Sequence, residues 1–470
     1  MTIAVRPTTI AGDLFDLRTL EALRAQLDGD LITPERPEYD KARQVQDIAV
    51  DRYPLAIVRA ASARDVAAAV QVAAAHALPL AVRGGGHSLA RLSMADDALV
   101  IDLSAMRGIS IDPETRIARV QGGVTSGDLA GPAGEHGLAL TTGDTATVGF
   151  GGLASGGGLG FMARKYGMTI DNLLSAQVVT AAGEIVTASP NEHPDLFWAI
   201  RGGGGNFGVI TEFTLRLAEV PQILGGVLLL PATREVLRGY LEYTATAPDE
   251  LSTIANLMLG APFPYTPEEW YGKPVVMVIV CWSGDLEAGE RAIAPLRALA
   301  EPIADTIAPG PYSSIYDWTA HQEVRHSFSL RSMYANELSD AALDAALEAI
   351  ANASSPYSLI HLRGLGGALN RVMPDATAYA HRHQRYMYTI IGLWMDADED
   401  PEPHSAWTLS LWEKVRHEGD GVYVNFLQNE GPERVRDAYP PATYARLREI
   451  KRRYDPTNLF RLNQNISPAG

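Results

Sequence analysis

The spacing of apolar residues changes several times along the chain, and each change marks an element. Residues 1–50 are charged and helical in pattern, and 52–58 predicts a strand. Ser62-Ala63-Arg64-Asp65 has the spacing of a capping box and predicts a helix ending near His76. Leu80-Ala81-Val82 predicts a short buried strand that runs into Arg83-Gly84-Gly85-Gly86-His87-Ser88, so strand, helix and strand form a small α/β unit. Residues 99–103 and 117–120 predict strands divided by Asp112-Pro113-Glu114. Residues 177–180 and 184–187 predict a hairpin around Ala181-Ala182-Gly183, and 194–200 a short helix stopped by Arg201 and the glycines after it. Residues 209–217 predict a strand with alternating faces.

Beyond Val220 long strands alternate with amphipathic helices. Residues 274–282 and 386–394 predict strands, and 340–351 a helix. From 421 to 468 the sequence again becomes dense in short motifs. The pattern predicts an α+β protein of two lobes. The first is discontinuous, residues 1–220 with 416–470, and the second, residues 221–415, is inserted and built on an antiparallel sheet covered by helices. With 470 residues, 46% of them hydrophobic, the chain can fill more than one core.

A net charge of -17 and a pI near 5.1 disfavour nucleic acid and anionic lipid as partners. The single cysteine, Cys281, excludes a disulfide framework and a multi-cysteine metal centre. The 11 histidines are scattered and no metal spacing occurs, so no metal is expected. The opening residues lack the charged and apolar regions of a signal peptide, and the longest apolar runs are strand-sized. The expectation is a cytoplasmic protein with no membrane attachment.

Three glycine clusters fall in the first lobe, and glycine lets backbone N–H groups approach a pyrophosphate closely. Tight turns are the alternative use of each cluster taken singly. Gly203-Gly204-Gly205-Asn206-Phe207-Gly208 fits G-x-G-x-x-G literally. It follows a helix and precedes a strand, however, the reverse of a Rossmann turn. No P-loop spacing occurs, and Ala90 replaces the last glycine that would make Gly86-His87-Ser88 a nucleophile elbow.

Arg83-Gly84-Gly85-Gly86-His87-Ser88 resembles the pyrophosphate loop of the vanillyl-alcohol-oxidase (PCMH-type FAD-binding) superfamily. The segment Gly143-Asp144-Thr145-Ala146-Thr147-Val148-Gly149-Phe150-Gly151-Gly152, with Ser155-Gly156-Gly157-Gly158-Leu159-Gly160, resembles its second flavin loop. Tyr423-Val424-Asn425-Phe426 and Asn463-Gln464-Asn465-Ile466 resemble the C-terminus of its berberine-bridge-enzyme branch. The resemblance implies a PCMH-type FAD-binding domain. Its FAD contacts would come from Arg83, Gly84, Gly85, Gly86, His87, Ser88, Gly143, Asp144, Thr147, Gly149, Gly152, Gly156, Gly157, Val209, Ile210, Asn463 and Asn465. It also implies an 8α-histidyl bond from His87 to FAD. Thr145 stands where doubly linked relatives carry cysteine, so no cysteinyl link is expected. Val148 is similar to the oxygen-permissive form of a position that gates O2. Leu153 replaces a histidine of some relatives, and Phe426 a tyrosine of many, often their catalytic base.

The function implied is an oxidase that moves a hydride from an alcohol, sugar hemiacetal or amine to FAD, with O2 as acceptor and H2O2 as product. It would act as a monomer or homodimer. A proton must leave the substrate as well, so a base is needed. Tyr423, Asn425 and Tyr388 are the catalytic candidates. By alternation Tyr386 and Tyr388 share a strand face, as do Tyr423 with Asn425 and His361 with Arg363. A buried tyrosine tied to a neighbour is the competing role for each phenol. Two other functions stay open: a flavin dehydrogenase with an acceptor other than oxygen, and a nucleotide-binding scaffold without redox activity.

Overall fold

The structure, a computed structural model, describes residues 17–320 and 324–469. Residues 1–16 of the N-terminal helical expectation lie outside it. The remainder of that segment holds two short helices, Leu17–Arg24 and Tyr39–Ala42, around a strand, Asp30–Ile32. Pairing won over local pattern here. Leu31 and Ile32 align with Val58 and Ile57 and are fully buried.

That strand edges a four-stranded sheet in the order Asp30–Ile32, Ala56–Arg59, Leu99–Asp102, Leu80–Arg83, whose last three strands run parallel. The helix Ala63–Ala75 covers it with a face of alanine and valine. Ser62 caps this helix by accepting from the Asp65 N–H. The Asp65 carboxylate accepts from the Ser62 hydroxyl at 3.1 Å but not from the Ser62 N–H, as a capping box would require. It accepts instead from the N–H groups of Asp28, Gly29 and Ala61 at 2.8–2.9 Å, tying the preceding loop to the helix.

A second, five-stranded antiparallel sheet contains the expected hairpin of Leu173–Val179 and Ile185–Ala188 beside the central strand Val209–Arg216. It also contains Ile109–Asp112, a strand that the sequence reading missed. Only Ile109 and Ile111 of that strand turn inward, so its apolar signal is brief.

The third sheet has eight strands, all paired antiparallel, and all lie between Ile223 and Trp394. The helices Arg234–Thr246, Leu286–Arg297, Asp340–Ala351 and Glu402–Val415 contribute to the core on one face. On the strand Pro274–Trp282, Val276, Val278 and Val280 meet those helices. Val275, Met277, Ile279 and Cys281 face the other way, towards the first lobe. Both faces are covered, which is why this strand reads as one unbroken apolar run. Each such buried aliphatic side chain stabilises by about 1.5–3 kcal/mol.

Among the described residues no helix is long and apolar enough to cross a membrane.

Candidate active site

A cavity of about 670 Å³ lies between the first lobe and the free face of the eight-stranded sheet. Its floor is built from the loop after Leu80–Arg83, the segment leading into the helix Phe150–Gly156, the turn before Val209 and the tail around Asn463. Its roof carries Phe328, Leu330, Leu359, His361, Ile391 and Leu393 from three neighbouring strands.

Glycine is required where the two floor loops meet back to back. A Cβ on Gly85 would lie 2.3 Å from the Gly149 nitrogen, and one on Gly149 would lie 2.0 Å from the Gly85 nitrogen. Gly86 has φ +76°, a region that side chains avoid. At Gly152, by contrast, no atom lies within 4 Å of a built Cβ, and the residue faces the open cavity.

His87 stands in this floor, half-buried and flanked by Gly86. Burial, followed by the charge of His326, pushes its pKa down to about 4. The imidazole is therefore a free base with an available lone pair at neutral pH, the form that attacks an electrophilic carbon.

Of the expected cofactor contacts, Gly84, Gly85, Gly86, His87, Ser88, Gly143, Asp144, Gly149, Gly152, Val209, Ile210 and Asn463 line the cavity. Five do not. Arg83 turns away, pairing with the buried Asp102 at 3.0 Å and donating to the Gln44 carbonyl at 3.0 Å, so it braces strand ends. Gly156 and Gly157 lie against Asn425 and Tyr423, where a Cβ would collide. Thr147 and Asn465 sit behind the wall, each with a buried side-chain oxygen lacking a partner.

The catalytic candidates divide in the same way. Tyr388 is corrected: it points into the helix-covered core with Tyr386 and Ile390, because even-numbered residues of Tyr386–Trp394 face the helices. Residues 423–426 form a short 3-10 turn, Val424–Phe426 with Tyr423 as its cap, instead of the expected strand. Tyr423 and Asn425 nevertheless reach the cavity and touch, the Asn425 amide donating to the Tyr423 hydroxyl at 3.0 Å. That hydroxyl also accepts from the Gly158 N–H at 2.9 Å and the Leu159 N–H at 3.4 Å. Burial raises its pKa against the opposing effect of these donors, so at neutral pH it remains a phenol that anchors the end of the glycine loop.

Two wall features went unassigned in the sequence. Gly204, Gly205 and Gly208 line the cavity although their run is no Rossmann turn; three adjacent glycines were the available signal. His361 projects from the roof, 6% exposed, with Nε2 lacking any partner, and its ring centroid lies 6.3 Å from that of Phe426. Its neighbour on the same face, Arg363, crosses to the floor, where it pairs with Asp144 and donates to the Leu159 carbonyl at 3.0 Å. Burial and then the Arg363 charge lower the His361 pKa to about 3, against the opposing pull of Asp144.

The floor fits FAD. Glycine backbone without intervening Cβ atoms is what a pyrophosphate needs, and the Oδ1 of Asn463 is buried there without a partner. Comparison with known proteins agrees. Residues 54–189 match the FAD binding domain family and residues 422–467 the family of berberine and berberine-like proteins. (R)-6-hydroxynicotine oxidase of Paenarthrobacter nicotinovorans is 34% identical over 457 residues, 94% of this chain and 98% of that protein. The crystal structure of 6-hydroxy-D-nicotine oxidase from Arthrobacter nicotinovorans has a TM-score of 0.83 at 31% identity, covering 94% of this chain and 98% of that one. Xylooligosaccharide oxidase from Myceliophthora thermophila, in complex with xylobiose, has a TM-score of 0.84 at 26% identity, covering 96% and 99%. The architecture is thus that of the PCMH-type FAD oxidases. The chain belongs to the berberine-bridge-enzyme-like FAD-linked oxidases and is an FAD-dependent oxidoreductase.

Proposed function

We propose that this protein is a cytoplasmic oxidase that carries FAD on an 8α bond to His87 and oxidises a small organic substrate, with O2 as the final acceptor and H2O2 as product. Bound FAD supplies the two-electron acceptor, a capacity that the side chains here lack. The chain supplies binding and position. Gly84, Gly85 and Gly86 with Gly149 and Gly152 form the floor that would take the pyrophosphate, and the unpaired Oδ1 of Asn463 in the same cavity would accept from an N–H or O–H of the cofactor. Tyr423 and Asn425 hold the glycine loop by the bonds described above, and the sheet roofs the cavity and limits water. Thr145 reaches the wall but cannot form a thioether, so histidine alone makes the link. The Val148 side chain also borders the cavity, consistent with O2 access at that point.

The observation that carries this reading is the position of the His87 imidazole among the cradle glycines of the cavity floor, where burial lowers its pKa. Acid precipitation tests it. A yellow pellet is expected, with the colour lost to the supernatant in His87→Ala; flavin released by the unsubstituted protein would overturn the covalent link. Peroxide release on a panel of alcohols, sugars and amines tests the oxidase, and dye reduction under air without peroxide would overturn it.

A further inference from the structure

The roof of the cavity is mostly apolar, and His361 within it belongs to a polar row that runs across the sheet. In strand register Asn256 aligns with His361, His361 with Thr389, and Thr389 with Ser332. These side chains lie on the sheet face turned towards the first lobe, where their strand neighbours are Ile254, Met258, Leu359, Met387, Ile391 and Leu330. Ser332 and Thr389 satisfy each other at 3.1 Å. Asn256 and His361 do not. Asn256 is 2% exposed with Oδ1 unpaired, and His361 is 6% exposed with Nε2 unpaired, on adjacent strands. A buried polar atom without a partner costs about 1–3 kcal/mol, and His361 lines the cavity with Asn256 next to it in strand register, so its Nε2 calls for a bound group that completes it.

The charged and titratable groups around His361 are few. Arg363 of the same strand is neutralised by Asp144 from the floor, and Tyr423 stacks on the Phe426 ring that meets the imidazole. Among the described residues that line the cavity Asp144 is the only carboxylate, and it is engaged by Arg363. Among the described residues the roof thus offers no acid to bind a cationic amine and no array of polar groups for a sugar's hydroxyls.

We propose that His361 Nε2 accepts the proton of the substrate's reacting hydroxyl or neutral amine, with Asn256 beside it as a positioning residue, and that the substrate is otherwise apolar. This rests on the FAD-oxidase reading above. The substrate C–H bond breaks with its electron pair passing as hydride to oxidised FAD. The O–H or N–H bond breaks with its pair becoming the second bond of C=O or C=N, and the proton goes to the Nε2 lone pair, then to solvent. Acceptance requires a neutral imidazole, which burial and the Arg363 charge favour, and the same environment makes the protonated ring short-lived, so the proton passes on to solvent.

The test is binding to the holoprotein, read from flavin absorbance under anaerobic conditions. The probes are 1-(2-naphthyl)ethanol and 2-isopropylnaphthalene, which differ by a methyl in place of the hydroxyl, with cellobiose as the polar probe. The unsubstituted protein should favour the alcohol over the hydrocarbon by about tenfold, as one buried hydrogen bond allows. His361→Leu should abolish that preference, and Asn256→Leu should reduce it. A preference unchanged in His361→Leu, tighter binding of cellobiose than of the naphthyl alcohol, or binding of neither naphthyl probe would each overturn the proposal. Should His361→Leu fail to fold, histidine-selective 15N spectra of the unsubstituted holoprotein decide it. The most perturbed imidazole should shift with the alcohol and stay fixed with the hydrocarbon; no shift overturns the assignment. A colourless protein would sink the FAD reading instead, so the two failures are distinguishable.

Discussion

Lys451 offers the sharpest test of how the cofactor floor is held. Its ammonium and the Asp455 carboxylate are both 0% exposed and lie 2.6 Å apart on the helix Pro441–Tyr454 and its cap. The same ammonium donates to the Asn206 carbonyl at 2.8 Å and the Phe460 carbonyl at 3.0 Å. Asp455 in turn accepts from the N–H groups of Leu459 at 2.7 Å and Phe460 at 2.9 Å. Two stretches of cavity wall, Gly204–Asn206 and the tail through Asn463, are therefore fastened to one buried charge pair. Lys451→Met keeps most of the volume but strands a carboxylate and two carbonyls. Losing one member of a buried pair costs about 3–5 kcal/mol. The exposed pair of Lys414 with Glu348 supplies the control, since Lys414→Met should cost no more than about 1 kcal/mol. Urea unfolding followed by fluorescence gives the stabilities. If unfolding is irreversible, unfolding rates replace them. FAD content of the purified proteins gives the functional readout. The reasoning is refuted if Lys451→Met unfolds in the same urea range as Lys414→Met and retains full flavin.

Four further outcomes follow from the same geometry. Gly85→Ala should cost at least about 1–3 kcal/mol and lower FAD content, because its Cβ would meet Gly149 backbone at 2.3 Å. Gly152→Ala, with nothing near its Cβ, should leave the apoprotein's thermal midpoint equal or higher yet still weaken flavin binding. Arg363→Leu and Asp144→Asn should each destabilise by roughly 1–3 kcal/mol, and a double-mutant cycle in denaturant should return a favourable coupling; additive effects would show the two lobes are not joined there. The fourth concerns acid. The His361 pKa falls from 6.5 to about 3 on folding, so the unfolded chain takes a proton that the folded one refuses between those pH values. Stability should be lost as pH falls through that window, approaching about 1.4 kcal/mol per unit from this group, and His361→Leu should flatten the slope measured by denaturant titration.

The strands Pro274–Trp282 and Tyr386–Trp394 and the helix Asp340–Ala351 were legible to the residue, because long apolar runs and helical spacing both stop sharply there. What alternation could not say is which face of a doubly covered strand looks where. Tyr386 and Tyr388 do share a face, but it is the one beneath the helices, whereas His361 faces the cavity. Most of the glycine floor was readable from composition and motif. Arg83 was misplaced because a charged residue beside cradle glycines gives no local sign of Asp102, nineteen positions away, as its partner. The Lys451–Asp455 fastening was invisible for the same reason: an i,i+4 charge pair on a polar helix ordinarily faces solvent.

One consequence of the floor's composition concerns synthesis. Phe460, Leu462, Asn463 and Gln464 complete a wall begun by residues 80–90. The ribosome must therefore deliver both lobes before the dinucleotide groove is closed. Flavin capture and any bond to His87 belong to the finished polypeptide, and a nascent chain halted within the inserted lobe should emerge colourless.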